Sequence, residues 1–176
     1  SGLLDATILI LYTDHGQKYA INERVPLIFH FSMGEHQGRI KTNAQNLDIS
    51  PTILDYLDLP QPEWMSGESL LKGNPDANRL IFSTGTRQAV TELEGGIFIL
   101  DESRLKPPFY QFSFLNVIDC QKWYQLNLGD NYGFSWGDVE GHTSPCSEDS
   151  LLNPDQIKDA MIEHLSSAGF DVSSIP

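Results

Sequence analysis

The sequence predicts an α/β chain in two parts. The closing strands and one helix of a mostly parallel sheet come first, and a small antiparallel sheet packed by one C-terminal helix follows. Three observations predict this. Ile8-Leu9-Ile10-Leu11 is a continuous apolar run without polar alternation, the pattern of a strand buried on both faces. Gly73 to Asn78 is rich in turn formers and marks a boundary, which divides the chain into 1–74 and 75–176. Beyond it come short β-type segments, a glycine-rich hairpin signal and a well-capped amphipathic helix.

Taken in order, the first strand stops at Thr13-Asp14-His15-Gly16, which sets a carboxylate and an imidazole side by side at its carboxyl end. In open α/β sheets that edge is where ligands bind. Asp offers hard oxygen ligands and neutral His a nitrogen, so the pair suits half of a metal site. Taken alone, the same residues also suit a strand followed by a turn. Gln17 to Glu23 is a short polar connection, and Val25 to Phe31 reads as a second strand with Pro26 at its start. Ser32 to Asn46, with Gly34 and Gly38, reads as a loop. A short helix then opens at Ser50 with Pro51 at its first position, places Ile53, Leu54 and Leu57 on one face, and ends at Leu59-Pro60. The later β-type segments are Leu80 to Thr84, Gln88 to Thr91, Ile97 to Leu100 and Trp123 to Leu126, with Glu94-Gly95-Gly96 turning the hairpin. Asn127 to Asn153 is polar and rich in Gly and Ser and reads as a long surface excursion. The last helix has Asn153 as N-cap, Pro154 next, Gln156 at the capping-box position, and a buried stripe of Ile157, Met161 and Leu165 before Gly169.

The chain has 40% hydrophobic and 20% charged residues, an ordinary balance for a globular domain. Its net charge of −13 argues against a nucleic-acid partner, whose backbone needs clustered Lys and Arg. It equally disfavours an anionic membrane surface. No apolar run approaches a membrane span and no leader pattern opens the chain, which leaves location open. Cys120 and Cys146 are far apart in sequence, and either a disulfide or two free thiols fits them.

Four segments in succession carry a resemblance. They are Thr13-Asp14-His15-Gly16, then Arg24-Val25-Pro26-Leu27, then Asp48-Ile49-Ser50-Pro51-Thr52-Ile53-Leu54, then Gly67-Glu68-Ser69-Leu70. In this order they resemble the later part of the sulfatase family, within the alkaline phosphatase superfamily. Each match alone is weak, and the ordered set over about seventy residues is specific. The resemblance implies the C-terminal part of an alkaline-phosphatase-like α/β/α sandwich, followed by a small subdomain of antiparallel sheet and one helix. It covers Leu3 to Leu71 by motif and the rest by layout.

By that resemblance the expected activity is metal-dependent hydrolysis of a sulfate ester, on a small molecule or a glycan. Asp14 and His15 would be the later half of the metal ligand set. Calcium is the family's usual ion, and zinc or manganese are the alternatives, which the softer imidazole suits. The formylglycine nucleophile and the first Asp pair would lie upstream, since the C/S-x-P-x-R motif does not occur in this chain. Alone, the chain is expected to be inactive. Lys18 would contact the sulfate and His36 the bound anion, each also readable as an ordinary surface residue. His at position 15 is shared with phosphatases and with phosphoethanolamine or phosphoglycerol transferases, so a phosphate ester is the alternative. A free-standing α/β module that binds a metal or a partner is the reading from another class. The expected partner is the remainder of the same protein. An isolated chain is expected to self-associate, because a two-strand remnant of a doubly buried sheet has an uncovered edge. Relatives of this kind place the protein in the periplasm, outside the cell or at a membrane.

Overall fold

The computed structural model describes residues 2–16, 20–21, 23–73, 75–76, 78–86, 90–129, 131–141 and 152–176. It is mixed α/β, with several antiparallel sheets and a C-terminal helix. The chain forms two compact units, Ser1–Arg79 with Val139–Ser150, and Leu80–Asp138 with Leu151–Pro176.

In the first unit, strand β1 (Leu9–Tyr12) pairs antiparallel with β2 (Leu27–His30), Leu11 opposite Ile28 and Ile10 opposite Phe29. The parallel, doubly buried strand expected from the apolar run is not what forms. Directly opposed residues share a face, so Leu9, Leu11, Ile28 and His30 lie together, and Leu9, Leu11 and Ile28 are each more than half exposed. The apolar run therefore records a need for burial that the described residues of this unit do not meet. His30, within the apolar second strand, is exposed on the same face. Phe31 is the buried residue that follows β2.

Helix α1 spans Ile49–Tyr56 and opens from a 3-10 turn, Asn46–Asp48, closed by a reciprocal capping box between Gln45 and Asp48. The helix thus starts before Ser50, because the turn already supplies its N-terminal partners. Its buried residues are Pro51 and Thr52, whereas Leu57 of the expected apolar face is exposed.

The second unit is built on a four-stranded antiparallel sheet in the order β3 (Leu80–Gly85), β6 (Phe114–Asp119), β7 (Lys122–Asn127), β8 (Phe134–Asp138). Strands β4 (Val90–Leu93) and β5 (Ile97–Leu100) form a separate hairpin, with Gly95 and Gly96 at positive φ in its turn. Two of the expected strands thus sit outside the main sheet. Two that build it, β6 and β8, were missed, and β8 lies inside the stretch expected to be a surface excursion. Helix α2 (Pro154–Ser167) carries the expected Asn153–Gln156 capping box and buries Ile157, Met161 and Leu165. These three pack with Leu115, Val117, Tyr124 and Leu126, the alternate inward residues of the two central strands. Cys120 is buried and disulfide-bonded, and Cys146 lies outside the described residues.

Candidate metal-ligand site and its support

Thr13-Asp14-His15-Gly16 leaves the carboxyl end of β1 as a tight corner. The Thr13 hydroxyl donates to the His15 carbonyl at 2.9 Å, and the Asn46 amide donates to the Thr13 carbonyl at 3.0 Å. Asn46 belongs to the turn that opens α1, so the corner is tied to the helix start. Asp14 Oδ1 and His15 Nε2 stand 3.7 Å apart, with side chains 85% and 42% exposed. His15 Nδ1 lies 2.8 Å from the Gly16 carbonyl. With Nδ1–H donating there, a neutral ring presents its lone pair at Nε2, on the side of Asp14.

One hard oxygen donor and one imidazole nitrogen, oriented by a backbone carbonyl, fit a divalent cation as part of its ligand set. Among the described residues no group of three or more His, Cys, Asp or Glu side chains is placed to hold a metal. The corner accordingly fits as two ligands that need others beside them.

Lys18 lies outside the described residues. His36, at positive φ, packs edge-on against Phe31 at 5.3 Å and Tyr56 at 5.9 Å, and the Tyr56 hydroxyl donates to Glu35 at 3.2 Å. Its ring is thus held by the end of β2 and the end of α1. Arg24 donates to the Gly141 carbonyl at 3.1 Å.

Asp48, in the turn that opens α1, does more than begin the helix. Its side chain is fully buried and accepts from the Gln45 amide at 2.8 Å, the Glu68 amide at 3.0 Å and Arg79 Nη1 at 3.1 Å, with Arg79 Nη2 on its other oxygen. Arg79 Nη2 also donates to the Asn43 carbonyl at 3.0 Å. Burial works against the Arg79 charge, yet Asp48 beside it, helped by Glu68, leaves the guanidinium pKa raised. The rest of the Asp48 to Thr52 motif serves the same joint. The Thr52 hydroxyl donates to the Asp48 carbonyl at 2.6 Å and accepts from the Leu70 amide at 3.0 Å. Ser69 donates to Asp55 and accepts from the Leu71 amide. Gly67, at φ 95°, crosses so close to Leu47 that a Cβ would lie 2.2 Å from its carbonyl oxygen. The third and fourth motif segments are therefore two halves of one hydrogen-bonded brace beside the Asp14–His15 corner. Arg79 was missed because its partner is thirty-one residues away and no local pattern marks it.

No protein-family model matches the chain. A stretch of 56 residues, 32% of the chain, is 34% identical to a 2,3-bisphosphoglycerate-independent phosphoglycerate mutase of Cellvibrio japonicus (strain Ueda107), of which it covers 11%. The chain therefore matches only a small part of that enzyme's length. The mutase belongs to the alkaline phosphatase superfamily, so this weak similarity supports the superfamily and carries nothing specific to sulfatases.

Proposed function

We propose that the chain is the later portion of a metal-dependent hydrolase or transferase of the alkaline phosphatase superfamily that acts on a phosphate or sulfate ester. The observation that carries this is the corner at the end of β1, where Asp14 Oδ1 and His15 Nε2 stand 3.7 Å apart and the ring is oriented through the Gly16 carbonyl. Asp14 and His15 would hold a divalent cation, calcium by the sulfatase resemblance or zinc or manganese by donor chemistry. When bound, such an ion offsets negative charge on a nucleophile and on the ester oxygens. The contributions of the chain's own residues are simpler. Asp14 supplies the anionic donor. Gly16 fixes the imidazole through Nδ1. Asn46 and the Asp48–Arg79 brace keep the strand end in register with α1.

The sulfate ester reading draws on the ordered motif succession, and the phosphate ester reading draws on the similarity to a phosphoglycerate mutase. In either case the remaining ligands and the nucleophile come from another part of the same protein. A formylglycine would serve sulfate, and a serine or threonine would serve phosphate. The disulfide at Cys120 supports an oxidising compartment, outside the cytoplasm.

The test is turnover of 4-nitrophenyl phosphate and 4-nitrophenyl sulfate by the protein isolated at its natural length. The proposal expects hydrolysis of one of them, abolished by a chelator, restored by a divalent ion, and lost in Asp14→Ala and His15→Ala. Turnover that survives both substitutions, or hydrolysis of neither ester, would reject it.

A further inference from the structure

The two segments that meet at the end of the β1–β2 ladder stay side by side beyond it. The ladder ends with Tyr12 opposite Leu27. Continued at the same register, it sets His15 opposite Arg24 and Gly16 opposite Glu23. The contacts bear this out, since a Cβ on Gly16 would lie 3.3 Å from Glu23 Cβ and 3.2 Å from Glu23 Oε2. Directly opposed residues share a face, and successive ones alternate. Arg24 therefore stands on the His15 side of this paired end, and Glu23 on the other.

Arg24 is exposed, and its Nη1 donates to the Gly141 carbonyl at 3.1 Å. Both residues belong to the first unit. That bond orients the guanidinium without neutralising it, because a carbonyl carries no net charge. The edge formed by Nε and Nη2 has no partner among the described residues. Such a planar edge matches two oxygens of a tetrahedral oxyanion. The Asp14–His15 pair supplies no donor of this kind. With His15 Nδ1 on the Gly16 carbonyl, the pair presents a carboxylate and a ring lone pair. The chain's net charge of −13 repels an anionic ester unless a cation meets it locally.

We propose that Arg24 is a substrate-binding residue that receives the terminal oxygens of the ester's sulfate or phosphate group. The inference rests on the ester-cleaving reading of the corner and adds to it the group that meets the anion. Nε–H and Nη2–H donate to two terminal oxygens, while Nη1–H stays on the Gly141 carbonyl. Sulfate and phosphate esters share this tetrahedral arrangement, so Arg24 serves either. The second of the four motif segments thereby gains a chemical part in the site, beside the strand start at Pro26.

The experiment is calorimetric titration of inorganic phosphate and inorganic sulfate into the protein at its natural length, loaded with a divalent ion. Arg24→Gln removes the charge and keeps a neutral donor for Gly141, so it separates anion binding from support of the loop. The expected result is that one anion binds and that Arg24→Gln weakens it about tenfold to a hundredfold. Arg24→Lys should fall between, because an ammonium keeps the charge and loses the planar edge. Arg39→Gln, the same loss of charge in the loop after β2, should leave the affinity unchanged. Divalent-ion affinity, read by chelator competition, should be the same in Arg24→Gln as in the unsubstituted protein. Anion affinity that survives Arg24→Gln overturns this inference and leaves the proposed function standing. A parallel loss of divalent-ion affinity also overturns it, since Arg24 would then only support the corner. Failure of the unsubstituted protein to bind either anion overturns both the inference and the function on which it rests.

Discussion

Removing the Arg79 guanidinium tests how the first unit is held together. Asp48 has no solvent exposure, and its oxygens are shared between Arg79 and two backbone amides. Arg79→Met takes away the charge partner and leaves a buried carboxylate with the amides of Gln45 and Glu68 only. Breaking a buried pair in this way costs about 3–5 kcal/mol. Arg79 Nε is buried without a hydrogen-bond partner among the described residues, so its removal returns part of that sum and favours the lower end. The Glu68 contact at 3.5 Å adds little, since Glu68 is 53% exposed. With a urea slope of about 2 kcal/mol/M, the midpoint should fall by about 1.5–2.5 M. Equilibrium unfolding followed by circular dichroism reads this directly. Arg79→Lys should fall between, because one ammonium cannot serve both Asp48 oxygens and the Asn43 carbonyl. Replacing both partners, Asp48→Ala with Arg79→Met, should not restore stability, because the two backbone amides then lose their acceptor. A midpoint shift below about 0.5 M in Arg79→Met would refute the reasoning, since an exposed pair contributes only that much.

Other consequences follow from single groups. Burial raises the Asp119 pKa, against the opposing Leu152 amide that donates to it at 3.0 Å. Its folded pKa exceeds its unfolded value, so its contribution is fully present at acid pH and is lost as pH rises through the folded pKa. Asp119→Asn should flatten that part of the stability profile, measured as urea midpoints from acid to neutral pH, and parallel profiles would contradict it. Gly67→Ala should destabilise the first unit by at least about 2 kcal/mol, because the new Cβ meets the Leu47 carbonyl and the residue keeps a positive φ. Thermal unfolding checks this, and a neutral outcome would remove the brace from the account. The exposed Leu9, Leu11 and Ile28 face should make the isolated chain self-associate. Sedimentation should show it, and Leu11→Lys should reduce it; a clean monomer at high concentration would count against it.

What was legible in the sequence follows the range of the interactions. Helix α2 could be read in full, because Asn153, Gln156 and the Ile157–Met161–Leu165 stripe are local signals that meet inside one helix. The Gly95-Gly96 turn was equally plain. The main sheet was harder, because Gln88 to Thr91 and Ile97 to Leu100 read as strands of it, whereas β4 and β5 pair with each other in a separate hairpin. Strand β8 hid behind its polar and glycine content, although Gly137 is there to receive the Trp123 ring. The apolar run of β1 gave the wrong environment, since composition states what a strand needs and pairing decides what it gets. At the site, Asp14 and His15 could be found because they adjoin a strand end. Asp48 is legible as a residue at the start of α1, but its burial against Arg79 and the Glu68 amide is not, because no spacing rule connects them to it.

The most direct test of the central claim is a crystal structure of the protein at its natural length, grown with a divalent ion, with the metal located by its diffraction signal. The account predicts an ion within about 2.0–2.6 Å of both Asp14 and His15 Nε2, with the remaining ligands from a part of the protein outside this chain. An ion bound elsewhere, with Asp14 and His15 facing solvent, would contradict it.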